Sequence, residues 1–322
     1  MNVYMEKITL KNTQLAIAPI IFGGNVFGWT LDEKGSFAIL DAFVDRGFNA
    51  IDTANQYSYW VPGNQGGESE KILGAWTKSR ANRERVVLMT KVGGAFAGSA
   101  TPNTTRQHII EQVELSLKRL QTDYIDLYQT HFDQEETPVE ETLRAYEELV
   151  KTGKVRYIGA SNLAPDRLRD SLDTSRNLDL PTYRTLQPEY NLYSREGFET
   201  NYRDIAQAYE LSVIPYFSLA SGFLTGKYQS EDDFGKSARG QGVKEQYWNE
   251  RGQKIVTALQ HVAEQHDSTP SAVALAWLLQ QPTVVAPIAS ATKELHLQPF
   301  LDAVGLTFAK EELILLDEAS GY

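Results

Sequence analysis

No cysteine occurs anywhere in this chain of 322 residues, so disulfides, thiolate metal sites and a cysteine nucleophile are excluded, and fold and chemistry must work without sulfur. No run of about 18 apolar residues occurs either, and the opening MNVYMEKITL lacks a basic stretch followed by a long apolar one. The expectation is a soluble, unexported protein with no membrane partner, best placed in the cytoplasm. Positive charge is the third shortage: 31 Lys and Arg stand against 42 Asp and Glu, a net charge of -11. That balance argues against partners held by bulk neutralisation of phosphates, such as nucleic acid or an anionic bilayer, and leaves room for a small anionic ligand held by a few local donors. No G-x-G-x-x-G follows an apolar run, so the Rossmann route to a dinucleotide is missing. No low-complexity tract or linker divides the chain, and no feature fixes an oligomeric state.

What is present is ordinary for a compact enzyme: 42% hydrophobic and 23% charged residues, ample for one large core. At roughly 150 residues per domain the length suggests two, but α/β barrels use this length as one, and a single domain over 1–322 is expected. EKITLKNTQLAI alternates around a polar KNTQ turn and predicts a hairpin, placed to plug a barrel floor. Eight short apolar runs follow, PIIFGG, FNAID, VVLMTK, YIDLYQ, RYIGAS, YRTLQP, SVIPYF and VVAPIA, each of the kind that forms a buried parallel strand. Most are separated by stretches of helical period, such as SFAILDAFVDRG, RQHIIEQVELSLKRL and FETNYRDIAQAYE, with Gly47 and Gly153 at helix ends. Alternation of strands and helices with right-handed crossovers closes, at eight units, a (β/α)8 TIM barrel with an N-terminal β-hairpin and a C-terminal extra helix around Glu311 to Ala319. SEDDFGKSARGQGVKEQ, after the seventh run, reads as a long irregular segment, hypothetically a lid over a ligand.

A barrel places its chemistry at the carboxyl ends of its strands. There the chain carries Asp52 and Tyr57 in IDTANQY, Lys91 in VVLMTK and His131 in IDLYQTH. To reduce a carbonyl, an enzyme holds a hydride donor against the carbon and gives the oxygen a proton or a strong hydrogen bond. Tyr57 suits the proton donor, Lys91 the cation that stabilises its phenolate, Asp52 the group that keeps Lys91 charged and oriented, and His131 the group that orients the substrate oxygen. Taken singly each has a plainer reading: Asp52 as a helix cap, Lys91 as a solvated strand end, His131 as a satisfied polar residue, Tyr57 as loop packing. Their joint placement at successive strand ends is what favours chemistry.

The segments DTANQY, MTK and QTH resemble the Asp, Tyr, Lys and His tetrad of the aldo-keto reductase superfamily, and the resemblance runs over nearly the whole chain. It implies an NAD(P)-dependent enzyme interconverting a carbonyl and an alcohol with Tyr57 as general acid and base. His131 stands where relatives that reduce carbon–carbon double bonds carry glutamate. The resemblance further implies that Ser161 and Asn162 in GASN, with Gln187 in TLQPEY, bind the nicotinamide carboxamide, and that Tyr216 stacks on the ring. Ser218, Leu219, Gly222, Leu224, Gly226 and Lys227 in FSLASGFLTGKY match the loop that wraps the pyrophosphate. PIASATKELHLQPF resembles the adenosine-binding segment, with Thr292 where NADP-binding relatives carry arginine. Ser290, Thr292, Lys293 and His296 remain there as donors, so NADP(H) is favoured, NAD(H) is the alternative, and no metal is implied. Phe27, Trp29, Tyr59, Trp60, Phe96 and Phe132, on strand-end loops, are the expected pocket walls, suited to a small or medium aldehyde, ketone or sugar-like carbonyl. Two other classes compete: a nucleotide-binding sensor or regulatory subunit with slow turnover, as the family's potassium-channel beta subunits imply, and a barrel lyase using Lys91 as a Schiff base.

Overall fold

A computed structural model of the chain describes residues 5–96 and 101–322. Residues 1–4 of the opening segment and 97–100, which include the end of GGAFAG, lie outside the described residues. The hairpin is formed by β1 (Ile8–Thr9) and β2 (Ala16–Ile17), antiparallel, with Ile8 opposite Ile17. Eight parallel strands follow: β3 (Ile21–Gly23), β4 (Ala50–Asp52), β5 (Val87–Val92), β6 (Ile125–Thr130), β7 (Val155–Ser161), β8 (Tyr183–Gln187), β9 (Ser212–Val213) and β10 (Ile288–Ala289). Their order is β10-β3-β4-β5-β6-β7-β8-β9. Hydrogen bonds from Val285 N to Val213 O and from Ile288 N to Pro215 O, both 2.9 Å, close the ring between β9 and β10. This is the (β/α)8 barrel.

The last two strands are shorter than the runs SVIPYF and VVAPIA. Pro215 and Pro287 interrupt those runs, and proline brings no N–H to a ladder. Their carbonyls still accept, Pro287 O from Ile21 N at 3.0 Å.

The helices are α1 (Glu33–Asp45), α2 (Glu68–Arg80), α3 (Arg106–Leu120), α4 (Val139–Lys151), α5 (Pro165–Leu178), α6 (Glu196–Asn201), α7 (Arg203–Ala208), α8 (Gly240–Tyr247), α9 (Glu250–Gln265), α10 (Pro270–Leu279), α11 (Gln298–Gly305) and α12 (Lys310–Ser320). FETNYRDIAQAYE, expected as one helix, is two, broken at Tyr202 (φ -122°), whose hydroxyl donates to Leu163 O at 2.7 Å. The terminal helix α12 is held by the Arg251 guanidinium on Ser320 O at 2.9 Å. Among the described residues no helix is long and apolar enough to cross a membrane.

The stretch after β9, expected as irregular, is ordered into a 3-10 turn (Glu231–Lys236) followed by α8. The Asp233 carboxylate starts the turn by accepting from Gln229 N at 2.8 Å and Ser230 N at 2.9 Å, a capping signal present in SEDD. Phe234 is buried against Tyr228 at 4.5 Å, and a Cβ on Gly240 would come within 1.7 Å of Phe234 O, so only glycine lets α8 start this close.

Alternation along the strands sorts the barrel interior. Ala50, Val87, Met89 and Leu127 form an apolar lower layer with Ile21, Ile214 and Ile288, and the hairpin's Leu10, Leu15 and Ile17 join it and close the floor. Two residues further along each strand, on the same face, come Asp52 after Ala50, Lys91 after Met89, and Gln129 after Leu127. The sequence thus makes the barrel apolar below and polar on top.

Candidate active site

Asp52 is the last residue of β4, Ser161 of β7 and Gln187 of β8; Lys91 is one short of the end of β5, and His131 directly follows β6. Tyr57 comes from the loop after β4. That loop is fastened to the loop after β3: the Ser58 hydroxyl donates to Phe27 O at 2.7 Å, and the Asn64 amide to Gly28 O at 3.0 Å.

The fully buried Lys91 ammonium has three protons and three acceptors: Asp52 Oδ2 at 2.5 Å, Thr53 O at 2.8 Å and Tyr57 Oη at 2.8 Å. An ammonium only donates, so the phenol oxygen is the acceptor there and its own proton is free to point elsewhere. Asp52 Oδ1 accepts from the side-chain amides of Gln129 at 3.1 Å and Gln187 at 3.0 Å, and the Gln187 amide also reaches Gln129 Oε1 at 3.2 Å. Asp52, Gln129 and Gln187 come from alternate strands, the arrangement that makes one layer of a barrel interior.

Burial, reinforced by the Asp52 charge, pushes the Tyr57 phenol well above its ordinary value, while Arg239 pulls it back down. Burial also lowers Lys91, opposed by Asp52 and Glu70. His131 is held well below the ordinary histidine value, first by burial and then by the Lys91 charge, so it is neutral at pH 7. Among the described residues its buried Nδ1 has no hydrogen-bond partner. An orphaned acceptor is tolerated more readily than an orphaned N–H, so the favoured tautomer carries the proton on Nε2.

Asn162, in the left-handed region at φ 51°, gathers the next group of residues. Its amide donates to His131 O at 2.9 Å and Ser161 Oγ at 3.0 Å, and its Oδ1 accepts from the Tyr216 hydroxyl at 2.9 Å. The structure thus brings Ser161, Asn162, Gln187 and Tyr216 together beside the tetrad. Between Phe217 and Gly226 the chain holds left-handed residues at Phe217, at the consecutive Ala220, Ser221 and Gly222, and at Gly226. Here Ser218 and Leu224 are buried, and Leu219 packs against the core. A Cβ on Gly222 would lie 3.2 Å from Lys227 Nζ, so the glycine leaves room under an ammonium. On the other segment Ser290 donates to Gly23 O and Asn25 Oδ1 at 2.7 and 2.9 Å, while Thr292 and Lys293 are exposed. His296 is lowered by burial and then by the charges of Lys293 and Lys227. Among the described residues none of the three has a carboxylate partner.

Of the expected pocket walls, Trp60 stands edge-on to Tyr57 at 6.2 Å, to Trp29 at 5.6 Å and to Tyr59 at 5.8 Å, and Phe132 lies 4.7 Å from the His131 ring. Phe96 packs against Gly66 in the loop that carries Tyr57. Phe27 does not join them. A 3-10 turn over Gly24–Val26 folds it back, fully buried and stacked on Phe22 at 5.3 Å, so it belongs to the core. Sequence reasoning missed Gln129, although a polar residue on the inward face two places before His131 signals it, and it missed Asn25 and Arg239.

The family model described as Aldo/keto reductase family matches residues 19–320. Among curated relatives, the chain is 32% identical over 309 residues to Aldo-keto reductase YhdN of Bacillus subtilis (strain 168), covering 94% of this chain and 88% of that protein. It is 33% identical over 320 residues to the Uncharacterized oxidoreductase YrpG of the same organism, covering 98% and 95%. It is 30% identical over 314 residues to a Probable voltage-gated potassium channel subunit beta of Arabidopsis thaliana, covering 93% and 91%.

Proposed function

The chain belongs to the aldo/keto reductase family, and on that premise we propose that it is an NAD(P)-dependent oxidoreductase that interconverts a carbonyl and an alcohol, with Tyr57 as general acid and base. One observation carries the assignment of Tyr57: its oxygen accepts from Lys91, which leaves its proton for a substrate oxygen. Burial keeps the phenol protonated at pH 7, the state that a donor needs. As the proton leaves, the Lys91 ammonium at 2.8 Å stabilises the phenolate, and Asp52, itself clamped by Gln129 and Gln187, fixes that ammonium. Neutral His131 is the second donor to the carbonyl oxygen and sets its direction.

The nicotinamide cofactor supplies the hydride when bound. The donor set fits such a group. Ser161, Asn162 and Gln187 offer donors and acceptors for a carboxamide, Tyr216 a flat face, and the left-handed run to Gly226 a cradle of backbone under Lys227. Lys227, Lys293 and His296, without a carboxylate partner among the described residues, favour NADP(H), whose 2′-phosphate would supply the missing anion. Thr292 in place of an arginine keeps NAD(H) as the alternative. Exposed aromatic rings at Tyr59, Trp60 and Phe132 suit an aldehyde or ketone with an apolar or planar body. The likeness to a channel beta subunit supports a second reading, a nucleotide sensor with slow turnover.

The test is Tyr57→Phe. It should leave nucleotide affinity within a few-fold and lower kcat for aldehyde reduction by at least about 10²-fold, the scale of general acid assistance. Near-normal turnover overturns the assignment.

A further inference from the structure

The loop after β8 runs beside the chain that leaves β9: Glu189 pairs in parallel with Tyr216, and Tyr216 N donates to Pro188 O at 2.9 Å. Past this ladder one side chain joins the two segments. Asn191 has no exposed surface. Its Oδ1 accepts from Tyr193 N at 2.8 Å and Ser194 N at 2.9 Å, and its Nδ2 donates to Phe217 O at 3.0 Å. Two N–H groups at one terminal atom and a carbonyl at the other leave the amide a single orientation. The support beneath it is tied to the helices that follow. The Arg251 guanidinium donates to Tyr193 O at 2.8 Å, and the Tyr193 hydroxyl donates to Gln246 O at 3.1 Å and accepts from the Asn249 amide at 2.7 Å.

Phe217 needs such a hold. It stands in the left-handed region at φ 53°, a conformation that contact between Cβ and the next carbonyl disfavours by roughly 5- to 30-fold for most residues other than glycine. Strain of this kind persists where the surroundings over-determine it. The Phe217 ring is 40% exposed and meets the Tyr216 ring at 5.1 Å, so its side chain is not what forces the backbone over. Its carbonyl is what the structure grips, from Asn191 on one side and from Ala220 N at 2.6 Å on the other. Before this bend comes Tyr216, whose hydroxyl donates to Asn162 Oδ1 at 2.9 Å, and after it the chain turns left-handed again at Ala220, Ser221 and Gly222. A change of φ at Phe217 therefore redirects everything after it relative to the Tyr216 ring.

Resting on the reading that Tyr216 and the loop to Lys227 receive a nicotinamide nucleotide, we propose that Asn191 is a positioning residue for that nucleotide, which keeps the strained bend at Phe217 formed before the nucleotide arrives. Among the described residues its side chain bonds to backbone alone, and it acts through Phe217. Without the clamp, Phe217 relaxes to negative φ in the free protein, and the apparent affinity falls by the fraction that remains in the competent form.

The experiment measures binding of NADPH and NADH, by quenching of tryptophan fluorescence, in the wild type, in Asn191→Ala and Asn191→Asp, and in the same two substitutions made on Phe217→Gly. Aspartate keeps an acceptor for Tyr193 N and Ser194 N and loses the donor to Phe217 O; alanine loses both and adds no charge. Each should weaken the better-bound nucleotide by roughly 5- to 30-fold. Glycine takes positive φ about as readily as negative, so on Phe217→Gly the same substitutions should cost no more than about threefold. Urea unfolding reports whether each variant is folded under the binding conditions, and should one of the two Asn191 variants not fold, the other decides. Equal losses of affinity with and without Phe217→Gly, or unaltered affinity in a variant whose urea midpoint has dropped, make Asn191 a support of the fold alone and overturn the proposal. If the wild type binds a nucleotide that the Asn191 substitutions do not weaken, only this proposal fails. If the wild type binds neither nucleotide, the reading beneath it fails and this one with it.

Discussion

Replacing Lys91 by methionine, one atom shorter and unbranched, keeps the apolar stem of a side chain that has no exposed surface and removes its charge. Asp52 Oδ2 then loses its ammonium, and among the described residues the Gln129 and Gln187 amides remain, both on Oδ1. Breaking a buried ion pair from one side costs about 3–5 kcal/mol, because the surviving charge stays buried and unpaired. Removing the second charge as well, in Lys91→Met/Asp52→Asn, should recover much of the loss, since a pair deleted together leaves no unpaired ion. Equilibrium urea unfolding of the wild type, both single variants and the double variant at pH 7 reads both effects. A Lys91→Met variant within about 1 kcal/mol of wild type would refute the reasoning, as would single losses that simply add in the double variant.

Two further expectations follow from the same geometry. His131 stays neutral in the native state below its ordinary value, while the unfolded chain takes up a proton, so wild-type stability should fall between pH 7 and pH 5, by up to about 1.4 kcal/mol per pH unit once below the unfolded value of about 6.5. His131→Asn should show a shallower fall in the same urea measurements, and parallel slopes would count against a buried neutral imidazole. Beside His296, Lys293→Met should weaken NADPH several-fold to tenfold while changing NADH little, as measured by calorimetric titration; equal losses for both nucleotides would remove the 2′-phosphate from the account.

Much of this architecture was legible because period and punctuation agree. Eight apolar runs bounded by helical stretches define a barrel, and the strand ends then bring Asp52, Lys91 and Tyr57 into direct contact although 34 to 39 residues separate Lys91 from the other two. Where reading failed, local geometry had overruled pattern. Phe27 looks like a loop aromatic, but the turn at Gly24–Val26 rotates it onto Phe22. Pro215 and Pro287 shorten two strands that composition alone made long. The segment after β9 reads as irregular because its order comes from the Asp233 carboxylate on two backbone N–H groups and one buried phenylalanine rather than from a repeated apolar face. Gln129 was within reach, since its inward face follows from Leu127 two residues earlier. Arg239 was not, because its contact with Trp29 joins residues 210 positions apart in sequence and rests on no periodicity.

The central claim is hydride transfer to a carbonyl with Tyr57 as proton donor, and the most direct measurement is a single turnover. The protein, in excess over nucleotide deuterated at nicotinamide C4, NADPH and NADH separately, is mixed with 4-nitrobenzaldehyde and the alcohol is analysed for label. The account predicts stoichiometric transfer of deuterium to the alcohol carbon from one of the two labelled C4 faces with at least one nucleotide, slowed at least about 10²-fold in Tyr57→Phe. Nucleotide that binds but delivers no label to this aldehyde, or label transfer that is unchanged in Tyr57→Phe, would contradict it.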